Sequence, residues 1–197
     1  MQPPTTYHHP RELVRAACAE LGTDVFLDWC IGLVTRRISS RQACTDPSLP
    51  DLGWLGGRSV TGESGWSPAE PPNDYWVPVW AARAFLYVWR DDVPDALVEA
   101  LSDGDQHWRV RHDIARVVAA REVGEAVPYL LPLLGHRLPR CRSVAVRAIG
   151  VAGEAEHAAA IAELRGDEEP SVRADVERAL ERLSRRLDRP VEDLVSG

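Results

Sequence analysis

The residues best suited to chemistry fall in two clusters. His107, Trp108, His112 and Asp113 lie within seven positions of one another, and a histidine near an aspartate can supply a general base. Their spacing limits that reading. On a helix His107 shares a face with Arg111 at i,i+4, whereas His107 and His112 at i+5 diverge, which weakens a two-histidine metal site. Sequence adjacency alone does not aim His112 at Asp113. Trp54, Arg58, Trp66, Trp76 and Trp80 make the second cluster. All seven tryptophans (29, 54, 66, 76, 80, 89 and 108) fall between positions 29 and 108. One reading is an aromatic-walled groove, with Arg58 on the Gly56-Gly57-Arg58 turn as its anion contact. The other is that Trp76, Trp80, Trp89 and Trp108 pack an irregular segment onto helices as a cap.

Several chemistries are excluded. All 23 basic residues are arginine, so a Schiff-base lysine, a P-loop lysine and a kinase-type phosphate lysine are ruled out. The chain has no nucleophile elbow, no GxGxxG and no HExxH. Cysteines 18, 30, 44 and 141 show no CxxC spacing, which disfavours a zinc ribbon or a disulfide scaffold. His8-His9 reads as a frayed N-terminus or at most a weak metal contact. No metal site and no cofactor are expected, and no residue is assigned a catalytic role. The N-terminus lacks a signal-peptide pattern, and no apolar run approaches the ~20 residues of a membrane span. A soluble, cytoplasmic protein without membrane contact is the expectation.

Three zones must position these residues. Residues 10 to 37 carry the i, i+3/i+4 apolar spacing of two helices joined at Gly22, so 1–43 is expected to be a helical N-terminal cap. Residues 44–77 are rich in Gly, Pro and Trp, and no periodic pattern survives there. An irregular segment packed on the helices is expected. From 78 to 197 a pattern recurs every 31 residues. Val110-Arg111, Cys141-Arg142 and Val172-Arg173 open three units, followed at matching offsets by Ile114, Ala145 and Val176. A weaker copy begins at Trp80-Ala81. Periods of this size imply stacked helix pairs, each covering a neighbour's apolar face. The units span about 78–105, 106–138, 139–169 and 170–197.

Asp105 precedes Arg111 by six positions and Asp167 precedes Arg173 by six, while His136 fills that slot before Arg142. With these motifs the chain resembles the HEAT-repeat family, in its short bacterial, phycobilin-lyase-type form. The resemblance implies an all-α helix-pair solenoid. It also implies a structural ladder of hydrogen bonds through Asp105, Arg111, Asp167, Arg173 and, lacking its acid, Arg142.

Sorting charge by layer divides the formal −7. First (A) helices, read as 78–90, 107–121, 139–152 and 170–187, hold 14 arginines and four acids. Second (B) helices, read as 93–102, 123–134 and 154–165, hold six acids and Arg165 alone. In the family A helices line the convex side and B helices the concave side. An acidic B layer disfavours nucleic acid on the concave face, because phosphate neutralisation supplies most non-specific affinity. The function implied is a non-catalytic interaction module that binds a protein or peptide partner through its concave face or its Trp-rich end. The alternative is a HEAT-like enzyme, or a small-ligand or nucleic-acid-binding protein of the DNA-glycosylase or lyase kind, using the cluster at 107–113. Binding of a phosphate-rich ligand on the arginine-bearing A face is a third class.

Overall fold

The computed structural model describes Pro3, residues 9–60 (the side chains of Arg58 and Ser59 excepted) and residues 67–196. Among them every regular element is helical. The chain forms two compact units, one ending at Asp113 and the next beginning at Ile114. No helix among the described residues is long and apolar enough to cross a membrane.

In the first unit, α1 (Pro10–Leu21) opens with Pro10, whose missing N–H costs nothing in a first turn. His9 caps it: its Nδ1 accepts the Arg11 N–H, and its own N–H is donated to Glu12. Helix α2 (Thr23–Val34) is the core element, with Phe26, Leu27, Trp29, Cys30, Ile31, Leu33 and Val34 all buried. Helix α3 (Ser40–Thr45) is set by a capping box between Ser39 and Gln42. The Gly/Pro-rich zone is not wholly irregular: it contains α4 (Gly53–Gly56) and a 3-10 turn at Gly57–Val60. Helices α5 (Trp76–Ala84) and α6 (Val93–Ser102) both pack on α2. The first repeat helix therefore runs 76–84, short of the expected 78–90. Phe85 ends it and is itself buried.

Helix α7 (Trp108–Arg121) begins in the first unit and ends in the second. Next comes a 3-10 element at Gly124–Gly135, where an α-helix over 123–134 was expected. Pro128 and Pro132 explain the difference. Each lacks the N–H that an α-helical bond to residue i−4 requires, and each ring crowds that carbonyl. Helix α8 (Pro139–Ala152) packs on α10 (Pro170–Leu187). Their contact is close enough that a Cβ on Gly150 would lie 2.5 Å from Ala179 Cβ and 2.7 Å from its Cα. Between them the chain forms a 3-10 turn at Ala155–His157, the short α9 (Ala158–Ala162) and a further 3-10 turn at Glu163–Gly166, in place of one helix over 154–165. Helix α11 (Val191–Val195) closes the unit with Leu194 buried.

Candidate functional site

The start of α7 is held rigidly within the first unit. Gln106 is buried and donates through Nε2 to the Val34 carbonyl at the end of α2, 3.0 Å away. Arg111 ties the preceding turn together: Nη2 donates to the Asp103 carbonyl at 2.6 Å and Nε to the Gln106 carbonyl at 3.2 Å. Asp103 in turn accepts from Arg36 at 2.9 Å. Its carboxyl is held below the usual range, first by the Asp105 N–H it accepts and then by Arg36. Asp105 itself is exposed and contributes that backbone N–H. Asp103 thus supplies this turn with a carboxylate for Arg36 and a carbonyl for Arg111.

On this support sits a cluster of rings around one cation. The His107 and Tyr75 rings stack with centroids 4.0 Å apart and planes 11° from parallel. Tyr75 continues into Trp76 at 5.2 Å, and Trp76 into Trp80 at 6.3 Å. His107 also meets Trp108 at 5.6 Å. The Arg109 guanidinium lies over three of these rings, 4.4 Å from Trp108, 5.2 Å from Tyr75 and 5.5 Å from Trp76. Each such contact is worth about 0.5–1 kcal/mol at a partly exposed site. Together they hold the guanidinium among the rings. Tyr75, Trp76, His107, Trp108 and Arg109 are all half-buried. Among the described residues no carboxylate pairs with Arg109.

His107 belongs to this cluster in its neutral form. Its Nδ1 accepts the Arg109 N–H at 3.2 Å, so the ring proton resides on Nε2. Partial burial, and then the neighbouring Arg109 charge, push its pKa below the ordinary histidine value, with Asp74 opposing.

The other sequence candidates lie elsewhere. Trp54, within α4, is buried, and Trp80 is buried against that helix: a Cβ on Gly56 would approach the Trp80 ring to 2.9 Å. Trp66 and His8 lie outside the described residues, and the Arg58 side chain likewise. His112 and Asp113 do not form a hydrogen-bonded dyad, since Nδ1 and Oδ2 stand 3.9 Å apart and Asp113 is buried. Arg83 Nε lies at the same 3.9 Å from the other Asp113 oxygen. A separate groove of about 910 Å³, open on one side, runs past Val25, Cys44, Leu52 and Trp54. Tyr75 and Arg109 were missed because neither has a spacing signature; the Tyr75-Trp76 and Trp108-Arg109 dipeptides meet only in the fold.

In the second unit the ladder residues meet closely. Arg142 receives an acid after all: Nε and Nη2 donate to the two oxygens of Asp167 at 2.6 and 2.7 Å. Arg142 Nη1 also donates to the His136 carbonyl, six residues back, at 2.9 Å. Arg173 Nη1 repeats that geometry on the Asp167 carbonyl at 2.6 Å. These contacts stabilise the turns between helices.

The comparison with protein families is specific about the repeats. The family model for HEAT repeats matches residues 74–181. No curated protein and no solved structure matches the chain.

Proposed function

The chain belongs to the HEAT-repeat family, and from that premise we propose that it is a non-catalytic interaction module for a protein or peptide partner. The docking surface is the cluster of Tyr75, Trp76, His107, Trp108 and Arg109. HEAT repeats typically mediate protein interactions, and these residues have the composition of an interface hot spot. Aromatic rings supply rigid contact area at small entropic cost, and an arginine held among them supplies hydrogen-bond donors.

The observation that carries this reading is Arg109, stacked over three rings without a carboxylate partner among the described residues. A guanidinium so held loses little freedom when it donates to an acidic side chain or a carbonyl from outside. Trp80, buried and stacked on Trp76, acts as packing behind that surface rather than as a contact.

A peptide-display selection against the purified protein tests the reading. It should return a consensus sequence whose binding weakens at least tenfold in Trp108→Ala and in Arg109→Ala, with helical circular dichroism unchanged. Selected peptides that bind both variants as tightly as the parent protein would remove this surface from consideration.

A further inference from the structure

The second unit has an exposed face that the aromatic site does not explain. Arg116, Arg147 and Arg178 recur at 31-residue intervals, one on each successive A helix, and all three are exposed. Helix α8 exposes only two of its side chains, Arg140 and Arg147. They stand seven residues apart, two turns along one side of the helix, or ~10 Å.

Beneath this row lies a buried acid. Asp175 is 5% exposed and accepts a hydrogen bond from Ser143 across the contact between α8 and α10. Arg178 reaches the same carboxylate at 2.5 Å, and Arg147 approaches it to 3.9 Å. Two arginines from neighbouring repeats are therefore gathered about one carboxylate, and that leaves a net positive site. Their side chains remain more than half exposed, so N–H groups still face solvent.

We propose that this arginine ridge docks a carboxylate-rich, acidic segment of a partner protein. A guanidinium offers a planar pair of donors that matches a carboxylate oxygen for oxygen. Asp175 holds Arg178 in place and draws Arg147 toward it before any ligand arrives, which lowers the entropic cost of binding. A peptide in the polyproline II conformation advances about 3.1 Å per residue with three residues per turn, so acids at every third position share one side, spaced like ridge arginines on helices 8–10 Å apart. A nucleic acid is the less suited polyanion. The chain carries a formal charge of −7, and its field opposes a long phosphate backbone, whereas a short acidic segment meets mainly the local ridge.

Fluorescence anisotropy with two labelled probes, a twelve-residue peptide with Glu at every third position and a twelve-nucleotide single strand, tests this directly. The peptide should bind at low salt and bind more tightly than the strand. Arg147→Gln with Arg178→Gln should weaken it at least tenfold. Because that pair also leaves Asp175 without its arginines, Arg116→Gln with Arg140→Gln provides a second variant that keeps Asp175 intact and should weaken binding as well. Arg11→Gln with Arg15→Gln removes the same charge from exposed positions on α1 and should leave binding within twofold. Absence of peptide binding, tighter binding of the strand, or equal loss in the α1 variant would each overturn the proposal. Trp108→Ala should not affect peptide binding, which separates this ridge from the aromatic surface.

Discussion

Arg142 and Asp167 form a two-pronged ion pair between the start of α8 and the turn before α10, with both side chains at least nine-tenths buried. Asp167 also accepts the Glu169 N–H at 2.9 Å, and its carbonyl accepts from Arg173. One residue thus links two repeats and shapes the turn between them. Its carboxyl is held below the usual range, chiefly by the hydrogen bonds from Arg142.

Removing one partner should therefore cost more than removing both. Asp167→Ala leaves a largely buried guanidinium without its acid, and a loss on the order of 3 kcal/mol is expected. Arg142→Met combined with Asp167→Leu should recover part of it, because no uncompensated charge remains. Urea unfolding of the two variants and the parent checks this. A double variant less stable than Asp167→Ala would contradict the pairing as the source of stability.

The contact between α8 and α10 gives a second prediction. Gly150→Ala places a Cβ at 2.5 Å from Ala179 Cβ and 2.7 Å from its Cα, so the helices must separate. A loss of about 1–3 kcal/mol is expected from overpacking. Ala179→Gly in the same chain should relieve the Cβ clash and restore part of the loss, despite the lower helix propensity of glycine. A shift of the thermal midpoint, compared across the single and double variants, is the measurement.

The parts of this fold that were legible in sequence are those fixed by local rules. The boundaries of α8 and α10 coincide with the spans 139–152 and 170–187 read from the repeat frame; Pro139 and Pro170 open them, with apolar residues at helical spacing behind. Residues 124–135 kept the apolar pattern of a helix while Pro128 and Pro132 changed its hydrogen bonding. Asp105 fits the 31-residue register, but the Arg111 guanidinium reaches back eight residues to the Asp103 backbone carbonyl, a contact that any residue type can supply and that spacing of acids therefore does not reveal. Arg109 could not be found by periodicity, because its rings come from Tyr75 and Trp76, more than thirty residues away. The aromatic site is a tertiary construction, whereas the repeat frame is a local one.

Acidification should weaken the fold in two separate windows. His107 and His136 both have pKa values below the ordinary histidine value, each chiefly through burial and then through nearby arginines. In the unfolded chain they take up protons near pH 6.5, before the folded protein does. Stability from this source is complete above that pH and is lost as pH falls toward the folded values. Below about pH 4 the depressed carboxyls of Asp103 and Asp167 add a second loss. Thermal midpoints measured from pH 7.5 to 5.5 should fall, and His107→Asn with His136→Asn should flatten that slope. An unchanged slope in the double variant would assign the first window to other groups.

Thiol labelling should report the packing of the first unit independently of any partner. Cys44 is exposed along the groove beside α3, while Cys30 is fully buried in α2 and Cys141 in α8. Partial burial raises the Cys44 pKa, and burial raises that of Cys30 much further. Since the thiolate is the reactive form, a disulfide reagent at pH 8 should modify Cys44 first and Cys18, which is half-buried, more slowly. Cys30 and Cys141 should react only as fast as the protein opens. Adding urea to the unfolding midpoint should bring all four into the fast phase. Rapid labelling of Cys30 in native buffer would show that α2 is not the closed core on which the aromatic site is built.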